Sequence, residues 1–279
     1  MEIVPKVGRM LVRGVDALSE RFDRKRFAAR PLCEAPVAPP AEYRRLWDEA
    51  RGVSYPAIDR YEESCGASID REWFHDLALV TQVVIKSSKV CYQHGRILYA
   101  TLARYMREHG RDHLNIVETG TARGFSALCL AKALEDAGAT GKITTFDVLR
   151  HDVPMFWNCI LDAGGPRTRA ELLRDYAHLV ERYVIFQCGD TGSDLGRTHF
   201  GRIHLAFLDS VHSYDHVMHE FGSIRHQQKA GDILVFDDYS ADQYPGVVRA
   251  ADEICRLQEY TPTLIAAHPQ RRYLVAEKR

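Results

Sequence analysis

The sequence predicts an α/β fold: a doubly wound, mostly parallel seven-stranded sheet with a C-terminal antiparallel hairpin, preceded by a helical N-terminal segment. Three observations lead there. From residue 111 onward, short apolar runs alternate with stretches of helical periodicity, the pattern of a parallel sheet covered by helices on both faces. The last two runs flank Pro269-Gln270 with no room for a helix between them, so they pair as a hairpin. Before residue 110 the apolar spacing is helical and offers no strand. The chain therefore divides into a helical segment, 1–110, and a sheet-bearing core, 111–279.

Taken in order, residues 6–28 place Val7, Met10, Leu11, Val15, Leu18 and Phe22 at helical spacing among Lys and Arg. This amphipathic stretch suits packing against the body or a second copy better than a membrane surface. Residues 31–40 are Pro-rich and hold neither helix nor central strand. Helices follow over Tyr43–Arg51, Arg71–Lys89 and Gln93–His109. Leu114–Glu118 is the first strand, Ser126–Ala137 a helix and Lys142–Val148 the second strand. After a long, partly helical stretch from Arg150, Tyr183–Cys188 is the third strand and Ile203–Leu208 the fourth. Asp215–Gln228 is a helix, Ile233–Phe236 the fifth strand and Gly246–Gln258 a helix; Thr263–Ala267 and Arg272–Ala276 form the hairpin.

Composition narrows the function. Hydrophobic residues make up 46% of the 279, enough for a sizeable core, and the formal net charge is −1. So balanced a charge argues against a nucleic-acid partner. Seven cysteines, none in a Cys-x-x-Cys pair, argue against a zinc ribbon and for a reducing, cytoplasmic setting. No apolar run reaches 18 residues, so no membrane span is expected.

In a doubly wound sheet, ligands bind at the carboxyl ends of the strands. The first strand ends Glu118-Thr119-Gly120-Thr121-Ala122-Arg123-Gly124. Gly120 and Gly124 allow close backbone approach, and Glu118 suits a cationic amine. A pyrophosphate would want the missing middle glycine and no acid. Alone, such a turn is equally an ordinary strand-to-helix connection. Asp147, ending the second strand, can accept from a ribose diol or cap a helix. Asp190, after the third, can accept from an exocyclic adenine amine or serve a turn. Together they describe a nucleoside with an amino-acid tail.

The fourth strand ends Phe207-Leu208-Asp209-Ser210-Val211-His212-Ser213-Tyr214 and the fifth Asp237-Asp238-Tyr239. Asp209, Asp237 and Asp238 would meet on one rim, where close carboxylates need a cation or a proton. Oxygen-only ligands suit Mg2+. In the alternative, Asp238 caps the next helix and Asp209 serves the organic ligand. His212 is a candidate base; His216 and His219 read as surface or packing residues, and Phe156 and Trp157 as packing.

From about residue 92 to the C-terminus, these residues resemble a class I S-adenosylmethionine-dependent methyltransferase. More narrowly the chain is similar to metal-dependent small-molecule O-methyltransferases, of the catechol type and of the type acting on antibiotic sugars. The resemblance implies that Glu118, Thr119, Gly120 and Gly124 surround the methionine part of S-adenosylmethionine, with Asp147 on the ribose and Asp190 near the adenine. It also implies that Asp209, Asp237 and Asp238 hold Mg2+. The catechol type carries a lysine base where His212 stands here, and its acidic pair ends in Asn where Asp238 stands. His212 and Asp209 are thus the two catalytic candidates. The expected partner is a small-molecule hydroxyl acceptor, such as a sugar of a natural product, and the N-terminal helices offer a surface for self-association. Two other classes compete: a nucleotide-dependent oxidoreductase, opposed by the missing glycine, and a non-catalytic module, opposed by the full set of strand-end acids.

Overall fold

The computed structural model describes residues 32–257, 260–268 and 271–279. The amphipathic pattern over 6–28 and the turn at Pro269-Gln270 lie outside them. Four helices come first: α1 (Pro40–Arg51), α2 (Pro56–Cys65), α3 (Arg71–Thr81) and α4 (His94–His109). Helix α2 was not among the expected elements, although its signals are explicit. Pro56 occupies the first turn, and Gly66 closes the helix at φ 62°, a left-handed C-cap. Helix α3 stops at Thr81, short of the expected Lys89. Val83, Val84 and Ile85 follow, three β-branched residues that lose side-chain freedom in a helix. The Asn158 side chain then binds both backbone groups of Ile85, at 3.1 and 3.0 Å, as a neighbouring strand would.

The sheet comprises β1 (Leu114–Thr119), β2 (Gly141–Asp147), β3 (Val184–Cys188), β4 (Leu205–Leu208), β5 (Ile233–Phe236), β6 (Tyr260–His268) and β7 (Arg271–Lys278). Its order is β3-β2-β1-β4-β5-β7-β6, parallel up to β5, with β7 antiparallel to both neighbours. Helix α5 (Phe125–Asp136) follows β1, and α6 (Arg169–Leu172) and α7 (Ala177–Tyr183) lie in the long crossover before β3. The short α8 (Thr191–Asp194) follows β3, α9 (Tyr214–Ile224) follows β4, and α10 (Pro245–Arg256) follows β5. Trp157, fully buried in the crossover, packs as expected.

One apolar core joins Ile58, Phe74 and Leu98 of the helical segment to Ile116, Leu128 and Phe207 around the sheet. The line between 110 and 111 thus separates helices from sheet but not two cores. A second cluster lies on the other sheet face, between Phe146, Leu234 and Phe236 and helices α9 and α10.

After β1 the chain winds outward through β2 and β3, then returns to start β4 on the other side of β1. That reversal opens a crevice where β1 and β4 end. Gly120, Asp147, Asp190, Asp209 and the Asp237-Asp238 pair all reach this rim. Because β7 runs antiparallel to β5, its first residue, Arg271, reaches the same rim.

Candidate active site

A cleft of about 780 Å3 opens at the rim. Asp147 and Asp190 line one part of it, and Asp209, His212 and Tyr244 line another. Gly120 lines the cleft and packs tightly against the end of β4. It sits at φ 94°, and an added Cβ would fall 2.1 Å from the carbonyl oxygen of Asp209. Gly124 starts α5 in the left-handed region at φ 88°.

The acids inferred from sequence take different stations. Asp147 accepts the amides of Ala122 at 2.5 Å and Leu149 at 2.7 Å, so it fixes two cleft-lining loops before any ligand arrives. Burial raises its pKa against these bonds and the Arg169 charge 3.9 Å away. Arg169 went unread in the sequence. Its guanidinium is almost fully buried, donates 2.9 Å to Ala122 O and packs over the rings of Trp157 and Phe186. Asp190 accepts the amide of Gly192 at 2.9 Å, capping α8.

Glu118, Thr119 and Gly124 stand behind the lining residues. Glu118 is fully buried and accepts from the hydroxyls of Ser126 and Thr145. Burial pushes its carboxyl up to about 7, with the two hydroxyl bonds opposing. The folded-state pKa thus exceeds the ordinary value. Stability from the neutral acid is complete below about pH 4.5 and lost as pH rises through about 7. Glu118→Gln, neutral throughout, is expected to raise the urea midpoint at pH 8 and leave it near wild type at pH 4.5. The same shift at both pH values would refute this assignment.

At the other part of the cleft, His212 Nε2 lies 3.5 Å from Asp209 Oδ1 and 3.1 Å from Asp238 Oδ2. Its ring tilts against Tyr244 at 4.5 Å between centroids. Asp238 reaches this point because its backbone is left-handed, φ 53°, a conformation Asp tolerates. Burial alone would lower the His212 pKa, but the two carboxylates overcome it and hold it at about 10. Burial, then the neighbouring Asp237, pushes Asp209 up to about 7. Asp238 is held low: His212 and Arg271 outweigh its burial.

The ligand atoms of Asp209, His212 and Asp238 lie within 4.8 Å of one another, a span one cation can bridge. Asp237 is occupied elsewhere. Its Oδ1 accepts the amide of Asp238 at 2.7 Å and its Oδ2 faces Arg271 at 3.4 Å. Arg271 also donates to Asp238. The residues therefore fit a divalent ion, with His212 rather than Asp237 as the third converging donor. That mixed nitrogen and oxygen set accepts Mn2+ as readily as Mg2+.

His216 is buried, the packing alternative of its reading, and pairs with Glu220 at 3.2 Å. Its spacing from Glu220, one helical turn, was the signal available in the sequence.

Among known proteins, a methyltransferase domain model matches residues 117–239. No curated protein matches the chain. Solved structures show the same fold. The O-methyltransferase NovP gives a TM-score of 0.51 at 14% identity, over 70% of this chain and 83% of that one. The cofactor-bound protein Rv0187 from MTB gives 0.55 at 17%, over 81% and 98%. The O-methyltransferase TomG from Streptomyces achromogenes, in complex with SAM, gives 0.50 at 17%, over 76% and 91%. No helix among the described residues is long and apolar enough to cross a membrane.

Proposed function

We propose that this chain, an S-adenosylmethionine-dependent methyltransferase of the class I fold, methylates a hydroxyl of a small molecule with the help of a divalent cation. One observation carries the reading: a single cleft joins the ribose-type acid Asp147 to the proton-handling cluster of Asp209 and His212. Val148, an exposed apolar side chain on the cleft wall, offers a face for the adenine. NovP and TomG are O-methyltransferases, and TomG is involved in tomaymycin synthesis; these likenesses support a natural-product acceptor.

In the proposed reaction the acceptor oxygen attacks the methyl carbon as the sulfur–methyl bond breaks, and the sulfonium leaves as a thioether. The acceptor proton must go to a group on the rim. His212, engaged by the carboxylates of Asp209 and Asp238, is poorly placed to take it. Asp209, which lines the cleft beside His212, is the proton acceptor, and His212 orients it. Asp209, His212 and Asp238 would hold Mg2+ or Mn2+, and a bound cation supplies charge that eases ionisation of the hydroxyl. Tyr244 walls this end and Gly120 admits the cosubstrate against the backbone.

Binding of S-adenosylhomocysteine tests the reading. Wild type is expected to bind it, and Asp147→Ala to weaken it by about 1–3 kcal/mol through lost hydrogen bonds. Calorimetric titration decides; preference for a nicotinamide dinucleotide would sink the proposal. Exhaustive chelation is expected to abolish transfer without unfolding the chain, and Mn2+ to restore it at least as well as Mg2+. Transfer that survives chelation would pass the counter-charge role to Arg271.

A further inference from the structure

Behind the cleft wall lies a polar network that the proposed reaction does not use. Its centre is Glu220 on α9, 1% exposed and absent from the cleft lining. Ser210 Oγ donates to Glu220 Oε1 at 2.6 Å, and Thr119 Oγ1 donates to Oε2 at 3.2 Å. The Thr119 hydroxyl also accepts the amide of Asp209 at 3.3 Å. One turn earlier on α9, His216 Nε2 lies 3.2 Å from Glu220 Oε1 and 2.8 Å from Thr191 Oγ1. One carboxylate therefore reaches the end of β1, the end of β4 and the turn after β3. Of the residues it holds, Asp209, Ser210, Thr191 and His216 line the cleft.

The chemistry explains why a carboxylate stands there. Two hydroxyls and an imidazole converge on one buried point, and the several lone pairs of a carboxylate can meet all three. A buried carboxylate is costly unless fully paired, and an apolar residue would pack at less cost. What the carboxylate adds is one buried point at which the ties between these three strand ends are gathered. A ligand spanning those ends needs their relation settled before it binds.

We propose that Glu220 is a positioning residue for the cosubstrate cleft: it never touches the ligand, but it fixes Asp209, Ser210, His216 and Thr191 in the arrangement that receives it. This rests on the cosubstrate reading of the cleft given above.

The test is calorimetric titration of the full chain with S-adenosylhomocysteine. Glu220→Ala is expected to weaken binding by about 10- to 100-fold, the scale of losing hydrogen bonds to a charged group. Glu220→Gln keeps the size and one acceptor, and the hydroxyls can turn to meet its amide; it is expected to stay within about 5-fold of wild type. Thr119→Val, isosteric and suited to a strand, removes the hydroxyl's bond to Glu220 and its tie to the Asp209 amide and leaves the rest of the network in place. It is expected to weaken binding by about 3- to 10-fold, and it keeps the test alive if Glu220→Ala does not fold. Leu102→Ala, in the buried interior of α4, is a stability control and is expected to bind as wild type. Wild-type affinity in Glu220→Ala or Thr119→Val overturns the proposal. So does an equal loss in Glu220→Gln and Glu220→Ala, or an equal loss in Leu102→Ala. A wild-type chain that fails to bind S-adenosylhomocysteine overturns the cosubstrate reading itself, and the proposal with it.

Discussion

Asp209→Asn is expected to lower methyl transfer by about 10²–10⁴-fold at saturating cosubstrate, the range lost with a general base. The exchange is nearly isosteric, and the Asp209 amide stays tied to Thr119, so the loop keeps its place. What disappears is the group that takes the acceptor proton. His212→Gln separates the two candidates. It keeps a hydrogen-bonding side chain between Asp209 and Asp238 but carries neither charge nor a titrating proton. A loss near 10-fold fits an orienting role. A loss as deep as that of Asp209→Asn would return the base to His212. Both variants should bind S-adenosylhomocysteine nearly as wild type does, which keeps chemistry apart from binding.

Gly120→Ala is expected to cost about 3–5 kcal/mol of stability, combining a left-handed backbone that alanine resists with a steric clash. The added methyl would meet the Asp209 carbonyl at 2.1 Å, and that atom is backbone, unable to swing aside as a side chain could. Either β1 and β4 part at their ends or the Asp209 loop moves, and both routes spoil the cleft. Urea denaturation, read with the binding titration, measures the two losses together. A variant as stable as wild type would mean that the β4 end does not lean on Gly120.

Much of this was legible in the sequence because it is local. Strand alternation, the Gly120 turn and the acids at Asp147, Asp190, Asp209 and Asp238 follow from residues within one element and its exit. What escaped is what depends on distant segments meeting. Arg271 stands in a hairpin that reads only as a sheet edge; its place beside Asp237 follows from antiparallel pairing with β5. Arg169 lies in a crossover without strong periodicity, yet its guanidinium ends up under the Ala122 carbonyl. Glu118 shows the converse error. Position at a strand end suggested a ligand contact, whereas strand alternation turns its side chain beneath the wall, onto Ser126 and Thr145. The helix ending at Thr81 is a third case, where a tertiary clamp by Asn158 overrides apolar periodicity.

The position of β7 bears on how the protein is made. It is the final strand in sequence, yet the sheet order inserts it between β5 and β6. During vectorial synthesis β5 therefore emerges with a bare edge, and it keeps that edge until the hairpin arrives. Over the same interval Asp237 and Asp238 lack the guanidinium that later sits across them. A nascent chain paused before the hairpin exposes an unpaired strand edge that ends in Asp237 and Asp238 without Arg271. Closing that edge waits until β7 has emerged and paired with β5.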